Sequence, residues 1–298
     1  SNTSLVFDGD NWDTSKVRNF SYMFYGMSTI TALDVSHLDV TSLTTNLTGM
    51  FGSMTSMTSL TLDDTKWDTS NVTNFSMMFY YSKLPNTFDM SFLDTSSATN
   101  MSRMFAYLQS MSSISWDTNV FTTDNVTNFY GMFQNSTQIT SLNLSHFDTS
   151  SAISMYDMFS GMTNLTSLTG YTNWDVSNVT DMDDMFRSVG LTSLNLSSWD
   201  VSSVTDFSSM FASSDLTSIS FANWNLASAT NLQSMFASTD LTTLNLSGWN
   251  VTSSATNLAY TFSNMPNLTP VNLSGWDVSG ATTLLALFQS NTSLSSVN

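Results

Sequence analysis

The chain has 298 residues, a net charge of −17 and no cysteine; its 23 acidic residues, all Asp, face only 6 Lys and Arg. That balance excludes a nucleic-acid groove, which needs a basic footprint, and disfavours anionic membrane surfaces. The lack of Cys removes disulfides, thiolate metal sites and a Cys nucleophile. With 41% hydrophobic residues held in register, a disordered chain is excluded as well.

The first predicted element is a short apolar stretch around Leu5, followed by Trp12 and then by Phe24, and this order recurs to the end of the chain. The closing Phe falls at Phe24, Phe51, Phe79, Phe105, Phe133, Phe159, Phe186, Phe211, Phe236, Phe262 and Phe288, in steps of 25 to 28 residues. A Trp or other large apolar residue precedes each marker by 12 or 13 positions, from Trp12 and Leu38 to Trp249 and Trp276. A period in this range marks stacked repeat units, and it lies in the leucine-rich-repeat range. The third and fifth units carry extra residues before the large apolar position, at Asp63 to Lys66 and Asp117 to Val120, where loops should bulge.

Leu191 to Phe211 shows the unit most plainly. Leu194 and Leu196 alternate with polar residues, which predicts a strand with Asn195 pointing outward. Trp199–Asp200 predicts a turn, because an Asp side chain accepts from nearby backbone N–H groups. Val204, Phe207, Met210 and Phe211 are spaced as one face of a helix, with Thr205 as N-cap and Asp206 in its first turn. Such a helix has no more than about two turns and depends on its neighbours. The expected fold is therefore a single α/β solenoid domain over 1–298. It is a right-handed leucine-rich-repeat coil of about eleven units, with one parallel sheet about 50 Å long and short helices on the opposite side. The alternative is a parallel β-helix. Neither end carries a polar cap, so the chain reads as excised from a longer array, with Ser1–Asn2 as an expression scar.

Candidate sites are weak by comparison. The Asp column of Asp13, Asp39, Asp68, Asp94, Asp148, Asp175, Asp200 and Asp277, interrupted by Asn225 and Asn250, could offer calcium oxygens but is expected to cap turns, which Asn does equally well. Asp181, Asp183 and Asp184 read as a solvated helix face. His37 and His146 lack an orienting partner for acid–base work. The Met column from Met23 to Met235 reads as core. No metal site, cofactor or catalytic group is expected, and the chain is not expected to be an enzyme.

The outward strand column is the expected ligand or self-association face: Asp34, Thr61, Asp89, Ser115, Asn143, Thr169, Asn195, Ser220, Asn245 and Asn272. It is flat, polar and nearly free of aromatic residues. Lys16, Arg18, Lys66, Lys83 and Arg103 are the expected anchors for an anionic glycan.

The combination W-D-x-S-x-V-T with M-F, clearest in Asn173 to Phe186, is similar to the BspA-like leucine-rich-repeat surface proteins of lactobacilli, Listeria, mycoplasmas and related bacteria. The resemblance covers the whole chain. It implies an extracellular, wall-attached adhesin whose partners are copies of itself on neighbouring cells, or host mucin and matrix glycoproteins, without nucleic acid or membrane insertion. Autoaggregation would be pH-responsive: near pH 3.9 about half the aspartates are protonated, so the charge falls from −17 to about −4 and repulsion between copies drops.

Overall fold

Parallel pairing of like residues in successive coils builds the molecule. The computed structural model describes residues 3–6, 12–86, 88–221, 224–246 and 248–297; Ser1, Asn2, Asp8 and Asp10 lie outside them. The alternating L-x-L stretches form two- and three-residue strands: β1 (Ser4–Val6), β2 (Ala32–Asp34), β3 (Ser59–Thr61), β4 (Ser141–Asn143), β5 (Ser167–Thr169), β6 (Ser193–Asn195), β7 (Ser218–Ser220), β8 (Leu244–Asn245) and β9 (Val271–Asn272). All pair in parallel with aliphatic on aliphatic, as in Leu5, Leu33 and Leu60, Leu142 and Leu168, Leu194 and Ile219, or Leu244 and Val271. The strand wall is not one sheet. Among the described residues it falls into β1-β2-β3, β4-β5, β6-β7 and β8-β9, with single bridges at Asp89–Ser115 and Val271–Val297.

The second wall corrects the expected helices. The described residues hold no α-helix; the only helical turns are 3-10 pieces at Asp64–Lys66 and Tyr171–Asn173, both at the corner just before a Trp. The first of these is the insertion expected in the third unit. Where helices were expected, a parallel ladder of single bridges runs unbroken through Asn19, Asn46, Asn74, Asn100, Asn128, Ser154, Asp181, Asp206, Asn231, Asn257 and Thr283, one rung per coil. The fold is a β-solenoid, the parallel β-helix alternative, without the helical side of a leucine-rich repeat.

The reason lies in where the backbone N–H groups go. Counting from each marker Phe, the N–H groups at positions −4, −2, 0 and +2 donate to the next coil: Phe20 to Asn46, Tyr22 to Thr48, Phe24 to Met50 and Gly26 to Gly52. Those at −1 and +1 donate three residues back within their own coil, as Met23 to Phe20 and Tyr25 to Tyr22, and those at +3 either do the same, as Met27 to Phe24, or meet a side-chain oxygen of the next coil, as Met54 does at Ser82, Leu108 at Ser136 and Met265 at Asn291. Each coil thus satisfies its backbone half internally and half through a neighbour, which a helix cannot do.

This path needs a left-handed residue at positions −2 and +2 of every coil. All eighteen non-glycine residues with positive φ occupy those positions, from Tyr22 (φ 58°) to Ser290 (φ 62°), and Gly26, Gly49, Gly131 and Gly161 fill the rest. Thr205 is not a cap: its Oγ1 donates to the Thr180 carbonyl of the preceding coil at 3.1 Å. Asp206 accepts from the Ser208 N–H at 2.8 Å and so folds the backbone into a turn.

The core lies between the walls. The eleven marker Phe rings stack in one file, neighbouring centroids 5.4 to 6.0 Å apart and planes within 15° of parallel. Trp174 stacks on Trp199, and Trp224, Trp249 and Trp276 form a second run. Met50, Met78, Met104, Met132, Met158, Met185, Met210 and Met235 are fully buried, so that column is core, as expected.

Candidate functional site

The expected face on the strand wall is exposed but chemically occupied. Asp34, Asp89, Asn143, Asn195 and Asn272 each accept the backbone N–H two residues on, at 2.9 to 3.2 Å, so their outward oxygens hold the turn after the strand. Thr61, Ser115, Thr169, Ser220 and Asn245 are also exposed. Eight of the ten lie in four separate sheets, and Asp89 and Ser115 pair through a single bridge. The Asp column before each turn behaves as expected: Asp13, Asp68, Asp94, Asp148, Asp175, Asp200 and Asp277 all accept from the N–H two residues later. These bonds favour the carboxylate, so the Ser15, Ser177 and Ser279 contacts hold Asp13, Asp175 and Asp277 below the ordinary Asp value. Among the described residues no three His or Asp converge to hold a metal ion.

The five expected cations occupy five different positions of the repeat, counted from the marker Phe, and so do not stack into a column. Lys66 sits beside Asp39 and Asp68 at a corner depression. Arg103 lies on the turn wall, its guanidinium carbon 4.5 Å from the Tyr130 ring centroid and its Nη2 donating to the Tyr130 hydroxyl. His37 is exposed; His146 is packed edge-on to Trp116 and Phe147, and burial pushes its imidazole below the usual value, toward the neutral form.

The turn wall gathers the side chains with the most chemistry. Five of its first six coils carry tyrosines, all but the second. Tyr22 and Tyr25 of the first coil lie over Gly49 and Gly52 of the second, where a Cβ would come within 2.6 and 2.7 Å of their rings. Tyr80, Tyr81 and Tyr107 cluster within 5.5 to 6.3 Å, and Tyr130 stacks flat on Tyr156 at 4.8 Å and 4°.

From coil six to coil eight the wall turns acidic, with Asp157, Asp181, Asp183, Asp184 and Asp206 in adjacent rungs. Desolvation raises Asp157, Asp181 and Asp184, and lifts Asp183 to about 7, with Asp184, Asp206 and Asp181 adding repulsion. The Ser208 hydroxyl lies 2.9 Å from Asp183 and 2.5 Å from Asp206, and its bond to Asp183 opposes the rise without cancelling it. Arg187 bonds Asp184 at 3.3 Å, and Arg103 and Arg187 both oppose the rise of Asp157. The neighbouring charge reaches Tyr156, which burial and Asp157 together push up to about 12.

A cavity opens beside this cluster across coils five to seven, lined by Gln134, Asn135, Asp157, Asp184 and Arg187 among others. The residues expected as a solvated helix face are instead half-buried in a rung-by-rung ladder. Their tyrosine neighbours are missed by a helical reading because they stand at positions −3, −2, +1 and +2, which only the turn path brings to one wall.

A family model described as "Mycoplasma protein of unknown function, DUF285" matches residues 2–115, 45–169, 164–269 and 215–297. No curated protein matches the chain.

Proposed function

From the premise that this chain belongs to the Mycoplasma family of unknown function DUF285, we propose that it is a non-catalytic adhesive scaffold of the cell surface that joins copies of itself on neighbouring cells when the medium turns acidic. The carrying observation is the aspartate ladder on the turn wall, where Asp183 holds its proton up to about pH 7 and Asp157, Asp181 and Asp184 are raised with it. This refines the titration expected from composition. Asp13, Asp175 and Asp277 are held low and keep their charge into acid, while one patch loses repulsion first, between about pH 7 and the ordinary Asp range. The groups facing that patch are Asp206, Arg187, Arg103, Tyr130 and Tyr156; neither arginine changes charge there. The extended, repeated walls suit broad multivalent contact, in which many weak copies add up.

Sedimentation from pH 8 to pH 4 tests the reading. Monomers at pH 8 should assemble reversibly as the pH falls, beginning above pH 5, and Asp183→Asn with Asp184→Asn should move the onset toward neutrality. A folded chain that stays monomeric to pH 4, or a double variant with unchanged onset, would defeat it.

A further inference from the structure

We propose that the tyrosines of the turn wall are an oxidative cross-linking site, at which Tyr107 couples to Tyr80 or Tyr81, and Tyr130 couples to Tyr156, when a haem peroxidase and hydrogen peroxide act on the chain. The inference goes beyond self-association. It is read within single chains at pH 8, where the protein is expected to be monomeric, so its failure and the failure of that reading are distinguishable.

Ring contacts already cross between coils. Tyr107 of coil four lies 5.5 Å from Tyr80 and 6.0 Å from Tyr81 of coil three, and Tyr130 of coil five lies 4.8 Å from Tyr156 of coil six, centroid to centroid. These separations fall within the roughly 4.5–7 Å range of paired aromatic rings. Tyr81 is 43% exposed and the other four are partly exposed, so a solvent oxidant reaches them. Both contacts bridge joints that the strand wall leaves open. Among the described residues no strand bridge links Thr61 of coil three to Asp89 of coil four, or Ser115 of coil five to Asn143 of coil six. With no Cys in the chain, a disulfide cannot hold either joint. A bond between phenols can, closing a loop of one coil and restricting the unfolded chain. Tyr22 and Tyr25 also touch, at 5.4 Å, but within one coil, so a bond there would fasten no joint.

The chemistry balances. Each phenol gives up one electron and its hydroxyl proton. Burial raises the Tyr80 and Tyr156 phenols, so at pH 8 that proton is still present and leaves with the electron. The two phenoxyl radicals join through the carbons ortho to oxygen. The hydrogens on those carbons move to the oxygens and restore two phenols. One hydrogen peroxide takes up the two electrons and two protons and becomes two waters, with the peroxidase haem passing the electrons singly.

Treatment of dilute protein at pH 8 with hydrogen peroxide and a haem peroxidase, followed by biaryl fluorescence, intact mass and peptide mapping of the monomer, tests the assignment. The wild-type chain should lose two hydrogens per link. One linked peptide pair should join Tyr107 to Tyr80 or Tyr81, and another should join Tyr130 to Tyr156. Tyr107→Phe should abolish the first link and Tyr156→Phe the second, each sparing the other, because Phe keeps the ring but forms no phenoxyl radical. Tyr22→Phe should spare both. Absence of both links from the wild-type monomer, links formed only between chains, or a map unchanged in Tyr107→Phe and Tyr156→Phe would overturn the proposal.

Discussion

The strand wall has the regular strands, yet it is broken; the turn wall has almost no named secondary structure, yet its ladder is continuous. The first is divided into four sheets, whereas the second pairs at every one of its rungs from Asn19 to Thr283. The difference follows from where the chain absorbs length. The paired strand leucine stands 19 residues before its marker at Leu5 and Leu60, and 17 before it at Leu142 and Leu194, but the rung residue always stands five before it. Variation in the period is thus taken up outside the rung-to-marker stretch, mostly before the Trp corner, where both 3-10 turns sit. Continuity in a solenoid comes from constant spacing rather than from the most recognisable element.

Substitutions can break this comparison. The largest expected effect is in the shared core beneath the turn wall: Phe186→Ala removes one ring from the stacked file and should lower stability by about 3–5 kcal/mol, read from chemical denaturation. Next, Gly190→Ala should lower it by about 1–3 kcal/mol, since its Cβ would lie 2.2 Å from the Thr163 carbonyl oxygen and backbone cannot swing aside. Then the walls should respond to glycine with opposite signs. Ser213 has φ 57°, so Ser213→Gly should raise stability by about 1 kcal/mol by relieving left-handed strain. Ser193 lies in β6, and Ser193→Gly should lower stability by about 0.5–1 kcal/mol. A matching sign at the two positions would remove the strain argument.

The effects of pH are again opposite between sites. Asp183 is raised in the folded protein to about 7, so below about pH 4 both states are protonated and nothing is lost. Between there and pH 7 the folded state binds the extra proton, and stability falls as pH rises. Asp183→Asn should therefore stabilise at pH 8 and be neutral at pH 3.5. Asp175 is held low by Ser177; its contribution is present above the ordinary Asp value and lost as pH falls through the lower folded value. Asp175→Ala should destabilise at pH 8, and less in acid. Thermal denaturation of both variants at the two pH values checks the pair.

Much of this architecture is written in the residues. The markers, the Leu, Trp, Phe and Met files, the Asx turns and the corner insertions at Asp64–Lys66 all follow from period and residue type. The helix does not, because Val204, Phe207, Met210 and Phe211 point inward equally well from a helix or from a path with a left-handed residue every fourth position. The discriminating signal was the recurrence of Gly, Asn or Asp at −2 and +2, seen in Gly26, Gly49, Gly131, Asn135, Asp157, Gly161, Asp184 and Asn264. Ser and Tyr at the remaining sites diluted it. The acidic ladder and its cavity were hidden for the same reason. Adjacent rungs are 25 to 28 residues apart in sequence, so Asp157, Asp184 and Ser208 become neighbours only once the stacking register is known.

The constant turn-wall register also bears on how such a gene can change. Every coil donates and accepts the same set of backbone hydrogen bonds through its neighbours, so a duplicated or deleted period rejoins the ladder without altering the cross-section. Slippage by whole units would lengthen or shorten the stack while leaving each remaining wall intact, making its length a heritable property that varies independently of what the walls hold.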